Sequence, residues 1–226
     1  MKALLYKEFK LAMHPLIYVF IAIFPFMVLI PSYPLAISFI YLLVTYPILF
    51  LGANKGEQTN DLLFSTLMPV RKKDIVLARI ITLISMQIVF ILLMSALYPL
   101  AIYINQIINS SPSGEEVIIP GLGLNSFVLI LAFAIFGLSI ADLIFLVIYY
   151  KNGKSIVLSS LLTMLAFIIY LAFFTIVLPY IPAFDGISSL HIGYQFLALF
   201  IAIILSFLIH LLAYKEASKR LLKVDF

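Results

Sequence analysis

The sequence predicts an all-α integral membrane protein with six transmembrane helices. Hydrophobic residues make up 65% of the 226 residues, charged residues make up 11%, and the mean hydropathy is +1.21. In soluble domains roughly a quarter of the residues are charged, so this composition excludes a soluble fold. Six apolar runs come close to the ~20 helical residues that cross a bilayer core of about 30 Å. The predicted spans are 15–30, 35–53, 80–104, 124–150, 156–179 and 192–213.

The placement of the basic residues predicts the orientation of these spans. All 14 lysines and arginines lie before the first run or after the second, fourth and sixth runs. The other gaps, 31–34, 106–123 and 180–190, contain none. Because Lys and Arg are biased toward cytoplasmic loops, we expect one transmembrane domain over 1–226 with both termini in the cytoplasm. The net charge of +4 is therefore assigned to contacts with lipid headgroups, and no nucleic-acid partner is expected.

Residues 1–14 predict an amphipathic helix in the cytoplasmic interface of the membrane. Lys7 and Lys10 are expected on its polar side. Apolar residues at helical spacing form the other side: Leu5, Phe9, Ala12 and Met13. The alternative is a basic, frayed terminus that only sets orientation.

The 54–79 segment, between the second and third spans, is the only substantial cytoplasmic segment. Thr59, Asn60 or Asp61 can cap a short helix, and Pro69 ends it. Its apolar side carries three leucines: Leu62, Leu63 and Leu67. Leucines facing a watery compartment need an apolar surface to lie against, which could be lipid, the protein's own bundle or a partner protein.

The residue order from Glu57 to Arg79 has a recognisable form. An acidic residue is followed by a short helix with paired leucines, a turn at Pro69, a basic stretch, and an aliphatic lead that ends in Arg79. This order resembles the signature loop of permease subunits of the type-2 ATP-binding-cassette exporters. One departure is Val70–Arg71, where many relatives carry a small hydroxyl residue that caps the next helix.

The resemblance implies a fold and a set of contacts. Permeases of this family have six spans, an interfacial N-terminal helix, and a cytoplasmic coupling helix between spans two and three that docks on a separate ATPase. Docking would then fall to Asp61, Leu62 and Leu67, with the turn at Pro69. Electrostatic contacts with the ATPase would fall to Glu57, Arg71, Lys72 and Asp74.

The resemblance also implies a function, namely ATP-driven export from a bacterial cell by two permease subunits and two ATPase chains. The second permease would be an identical or a sister subunit, and ATP and Mg²⁺ would be bound by the ATPase. Small permeases of this shape resemble Gram-positive exporters of amphipathic peptides and toxins, such as the phenol-soluble modulin exporters. Two alternatives stay open: a non-transporting immunity or sensor subunit, and an ion-coupled carrier.

No catalytic, cofactor or metal site is expected in this chain itself. Gly153-Lys154-Ser155 lacks the glycine that a P-loop requires at position 148, where Ile148 stands. The three histidines have no metal-ligand spacing, and His191 and His210 are expected at the two membrane interfaces. An intramembrane protease with Ser139 as nucleophile is disfavoured, because His191 lies roughly 22 Å away along a helix. Gly137 and Ser139 are instead expected to be a small-residue helix contact.

Asp142 is the one Asp, Glu, Lys or Arg deep inside an apolar run. A charge on a lipid-facing surface would cost a few kcal/mol, so this side chain should face the bundle, a partner subunit or a water-filled path. We expect either a polar contact on a translocation path or an interhelical hydrogen bond. No basic residue is expected within an apolar run to pair with it.

Overall fold

A computed structural model describes residues 2–12, 15–29, 37–38, 40–42, 45, 70–109, 127–152, 156–174 and 192–223. Nearly all of these residues are helical and none lies in a strand, which confirms the all-α class for this part of the chain. Among these described residues, three helices are long and apolar enough to cross a membrane, as expected of an integral membrane protein. Most of the predicted second span lies outside the described residues. So do the predicted docking residues Glu57, Asp61, Leu62, Leu67 and Pro69.

The N-terminal region forms two short helical segments, each of which changes geometry along its length. Helix α1 (Lys2–Tyr6) continues as a π-helix over Lys7–Ala12. Helix α2 (Leu16–Ile23) continues as a 3-10 helix over Phe24–Leu29. The change in α2 falls at Pro25, which has no N–H for a helical hydrogen bond and whose ring crowds the carbonyl four residues earlier, so the α-helix is interrupted here.

Four longer helices follow. They are α3 (Lys72–Asn109), α4 (Phe127–Asn152), α5 (Ile156–Ala172) and α6 (Ile192–Leu222). The start of α3 differs from the predicted start of the third span at Ile80, so the end of the predicted coupling segment is already helical. Asp74 lies in the first turn of α3, where a carboxylate favours the positive end of the helix dipole. Helix α6 continues past residue 213, the predicted end of the sixth span.

Helix α4 is the centre of the packing. In the most apolar 18-residue stretch of each long helix, 61% of α4 is buried, compared with 39% of α3 and 17% of α6. It packs extensively on α6 and also on α5, while α3 packs on the 3-10 helix and on α6. Most of α6 therefore presents apolar side chains outward, which suits a helix in contact with lipid.

Pairs of contacts at two levels give the relative directions of the helices. Gln87 of α3 contacts Asp142 of α4, and Tyr98 stacks on Phe127 with ring centroids 4.0 Å apart, so α3 and α4 are antiparallel. Ser139 contacts Ser206, and Asp142 contacts His210, so α4 and α6 are parallel.

Helices α4 and α5 are antiparallel by the same criterion. Phe133 of α4 lies beside Phe174, just past the end of α5, while Gly137 lies against Phe167. The start of α3 and the ends of α4 and α6 consequently lie at one end of the bundle. We call this the basic end, because its exposed residues include Arg71, Lys151 and Lys219.

Candidate functional site

Three of the predicted docking residues are described, and all three lie at the basic end. Arg71 is exposed just before α3, and Lys72 and Asp74 are half-buried in its first turn. The backbone N–H of Asp74 donates to the carbonyl of Arg71 over 2.8 Å, which forms the turn that opens the helix. The five other predicted docking residues lie outside the described part of the chain, so their arrangement around Arg71 stays a prediction.

A buried ion pair fastens the N-terminal segment to α3. Glu8 Oε2 lies 3.0 Å from Arg79 Nε, and both side chains are 1% exposed. Glu8 Oε1 also lies 3.3 Å from Lys7 Nζ. Lys7 therefore faces the bundle and not the polar side on which we expected it, because the Glu8 carboxylate attracts it there. Lys10, by contrast, is exposed as expected.

A second polar cluster lies inside the apolar bundle, where α3, α4 and α6 meet. Asp142 is fully buried, which confirms that it faces the bundle. Gln87 Nε2 donates a hydrogen bond to Asp142 Oδ2 over 2.7 Å. His210 Nε2 lies 3.0 Å from the same carboxylate oxygen. Each of the three long apolar helices thus contributes one polar side chain to the contact. We call Gln87, Asp142 and His210 the polar cluster.

The polar cluster continues along the α4–α6 contact. His210 Nδ1 lies 2.7 Å from the backbone carbonyl of Ser206. Ser139 Oγ donates to the carbonyl of Ile135 over 2.7 Å and lies 2.5 Å from Ser206 Oγ, so the Ser206 hydroxyl is the donor between the two serines. Ser139 is therefore part of a helix–helix contact, as predicted.

The expectation that Asp142 has no basic partner is wrong, and so is the assignment of His210 to the interface. Asp142 pairs with His210, and Gln87 also binds it. One signal in the sequence could have found this cluster. Gln87 and His210 are polar residues in two other apolar runs, and buried polar groups in a membrane seek one another as hydrogen-bond partners.

Ser206, His210 and Asp142 have the residue types of a hydrolytic triad, but their geometry does not support nucleophilic catalysis. Ser206 Oγ is 3.5 Å from His210 Nδ1, and the much closer neighbour of Nδ1 is a backbone carbonyl at 2.7 Å. Because a carbonyl only accepts, Nδ1 carries a hydrogen and has no lone pair with which to activate the serine.

Two further residues lie beside the polar cluster. Tyr41 is fully buried, interacts electrostatically with Asp142, and is hydrogen-bonded to the side chain of Thr45. Its ring lies 4.4 Å from that of Phe90, one turn along α3 from Gln87. Described residues of the predicted second span therefore pack close to Asp142.

A groove of about 270 Å³ runs between the N-terminal segments and α3. Its lining is apolar and includes Phe9, Tyr18, Ile21, Ala22, Ser85, Met86, Val89 and Leu93. The Tyr18 hydroxyl donates to the carbonyl of Phe9 and so links α2 to the π-helix. Among the described lining residues, the hydroxyls of Tyr18 and Ser85 already donate to backbone carbonyls, so the polar cluster is the better candidate site.

Within the described ranges, no group of three or more His, Cys, Asp or Glu residues could hold a metal ion. Comparisons of the chain with family models, curated proteins and solved structures found no match.

Proposed function

We propose that this chain is the membrane-spanning subunit of an ATP-driven exporter in a bacterial plasma membrane. Six spans with both termini in the cytoplasm would form a translocation path for an amphipathic substrate, with a peptide or toxin favoured. A separate ATPase would bind ATP and Mg²⁺ and dock on residues 54–79, and a second permease subunit, identical or sister, would complete the path. The residue order from Glu57 to Arg79 is the motif on which this proposal depends.

The observation that carries the proposal is the continuity of α3. This helix starts inside the motif at Lys72 and runs without interruption to Asn109. It carries Gln87 into the polar cluster, roughly 22 Å along the axis at 1.5 Å per residue. A force applied to the coupling segment at the basic end would thus reach the interior of the bundle through one rigid element. Such a link is what a transporter with a separate motor requires.

The N-terminal segment supports the same interpretation. Arg79 lies at the end of the motif, and its ion pair with Glu8 fixes the N-terminal helix beside the start of α3. The two cytoplasmic elements that the resemblance implies, an N-terminal helix and a coupling segment, would then move together.

Copurification tests this proposal. The tagged protein is extracted from its own host in mild detergent, and the proteins that accompany it are identified by mass spectrometry. We expect a stoichiometric ATPase with the wild type and none with Leu67→Glu, because a carboxylate on the apolar side of the docking helix would have to be buried in the interface.

The matched control is Lys219→Glu, which also introduces a carboxylate but lies outside the motif, at the end of α6. Lys219 is 57% exposed and pairs only across one helical turn with Glu216, so its loss should leave ATPase binding unchanged. A wild-type protein that purifies alone, even in native lipid, would contradict the exporter and favour either the carrier or the immunity or sensor alternative.

A second candidate function is an ion-coupled carrier, which the polar cluster favours. A carboxylate and an imidazole in contact inside an apolar bundle are groups that proton-coupled transporters use. In this alternative no ATPase accompanies the protein, and transport in vesicles follows an imposed pH gradient. The same copurification therefore separates the two candidates.

A further inference from the structure

A contact with the backbone fixes the hydrogen on one ring nitrogen of His210, Nδ1. This nitrogen lies 2.7 Å from the carbonyl oxygen of Ser206, four residues earlier in α6. A carbonyl oxygen accepts hydrogen bonds and cannot donate, so the contact requires a hydrogen on Nδ1. The tautomer of the imidazole is therefore set by the backbone of its own helix.

The other ring nitrogen of His210, Nε2, faces the carboxylate of Asp142. His210 Nε2 lies 3.0 Å from Asp142 Oδ2, and each of these atoms accepts when it carries no proton. One proton must therefore lie between them, either on Nε2, which gives an imidazolium–carboxylate pair, or on Oδ2, which gives two neutral groups. Both arrangements have zero net charge. Because the side chains of Asp142 and His210 are 0% and 8% exposed, this neutrality is what allows the pair to lie inside the bundle.

Removal of that proton leaves His210 with an unfavourable contact in either tautomer. With Nδ1–H retained, the lone pair of Nε2 would face the Asp142 carboxylate. If the remaining hydrogen moved to Nε2, the lone pair of Nδ1 would face the Ser206 carbonyl instead. Either tautomer sets two acceptors against each other and gives the pair a net negative charge inside the bundle, which is more costly than a neutral pair.

We propose that Asp142, His210 and Gln87 form a proton-binding site, in which one proton held between Asp142 Oδ2 and His210 Nε2 fastens α6 to α4 and α3. Release of this proton to water loosens α6 from α4, and rebinding restores the contact. Helix α6 is suited to this movement because it is the least buried of the three spanning helices. The inference does not depend on whether the chain works with an ATPase or as a carrier.

Several groups face the pair from the described elements packed against it. Gln87 of α3 is uncharged and donates to Asp142, and Ser139 and Ser206 continue the contact between α4 and α6. Tyr41 is the titratable group that faces Asp142 from the described residues of the predicted second span. Arg79, a charged residue of α3, lies roughly 12 Å from Gln87 along the helix axis and forms an ion pair with Glu8.

A disulfide reporter tests the proposal directly, because the chain has no cysteine. The Oγ atoms of Ser139 and Ser206 are 2.5 Å apart, so S139C/S206C brings two sulphurs within reach of the ~2 Å S–S bond. The Ser206 carbonyl that accepts from His210 Nδ1 belongs to the backbone, so the S206C substitution keeps it. Copper-phenanthroline oxidation in membranes, followed by gel electrophoresis after a cut between the two helices, measures how much of the protein has α4 and α6 in contact.

The matched control adds Asp142→Asn to the same reporter. An asparagine NH₂ group has two donors, one for the His210 Nε2 lone pair and one for the Gln87 carbonyl oxygen after its amide turns over. The contact is then complete without a shared proton. We expect the crosslinked fraction of the wild-type reporter to fall severalfold between neutral and strongly alkaline pH relative to the D142N reporter. Equal fractions in both backgrounds at every pH would overturn the proposal.

A second measurement does not depend on the reporter or on D142N folding. In a H14Q/H191Q protein labelled with ¹⁵N-histidine, His210 is the only signal. We expect Nδ1 to carry a hydrogen at neutral pH and the two nitrogen resonances to shift together when alkali removes the shared proton. A bare Nδ1 at neutral pH would overturn the proposal, and so would an imidazole that titrates like a free histidine. Either result leaves the copurification test of the exporter unaffected.

Discussion

Single residues decide how closely the central helices approach. Gly137 of α4 faces α5 so closely that a Cβ atom at this position would lie 2.5 Å from Tyr170 Cε1 and 2.8 Å from Phe167 Cε2. The Tyr170 ring is also held by its hydroxyl, which donates to the carbonyl of Phe133 over 2.8 Å. The absence of a side chain at residue 137 therefore lets an aromatic layer of α5 lie directly on α4, as small residues do in membrane bundles.

Gly137→Ala should destabilise the protein by about 1–3 kcal/mol, because the added methyl group forces the held Tyr170 ring to move. The measurement is the midpoint of thermal unfolding in detergent, monitored by far-UV circular dichroism. Gly193→Ala is the matched control, because residue 193 is exposed in the first turn of α6 and should tolerate a methyl group. Equal midpoints for the two variants would show that the α4–α5 approach does not depend on Gly137.

The same scale shows what a sequence can and cannot predict about a buried polar residue. That Asp142 faces away from lipid follows from the cost of a charge there and required no structure, whereas the choice of the bundle over a partner subunit or a water-filled path required the structure. Its partners did not follow, because the helix rotations that bring Gln87 and His210 to one point depend on the packing of α3 and α6. The small-residue contact at Gly137 and Ser139 was predictable from residue size alone.

At the scale of elements, the N-terminal segment is attached by charge as well as by apolar contact. Leu4 is buried against the bundle, and the Glu8 carboxylate lies between Lys7 and Arg79. The sequence predicted an amphipathic helix here but assigned Lys7 to the polar side. The difference arises because periodicity cannot show that a carboxylate at residue 8 will turn inward to meet Arg79, a residue 71 positions away.

Glu8→Gln should weaken this attachment strongly, since losing one partner of a buried ion pair typically costs about 3–5 kcal/mol. We expect a lower unfolding midpoint and faster tryptic cleavage near Lys10. The double variant Glu8→Gln with Arg79→Met should recover part of the loss, because it no longer buries an uncompensated guanidinium. Lys10→Met, at an exposed position, is the control and should leave the midpoint unchanged. Additive effects of the two substitutions would contradict a direct Glu8–Arg79 coupling.

At the scale of the whole molecule, two independent observations agree on the arrangement of the basic residues. The sequence predicts that they share one side because they fall only in alternate gaps between apolar runs. The contacts give α3 antiparallel to α4 and α4 parallel to α6, which brings Arg71, Lys151 and Lys219 to one end of the bundle. The helix directions follow from side-chain contacts and not from charge.

The side of the membrane on which the basic end lies can be measured with single cysteines, since the chain has none of its own. Lys73, Lys151 and Lys219 are exposed at the basic end, and Tyr194 is 64% exposed near the start of α6 at the opposite end. Because Lys and Arg favour the cytoplasm, an impermeant maleimide should label K73C, K151C and K219C only in inverted vesicles, whereas Y194C should react in intact cells. Labelling of Y194C and K219C from the same side would contradict a membrane-crossing α6. Labelling of K73C from outside would reverse the orientation and remove the coupling segment from the compartment that holds ATP.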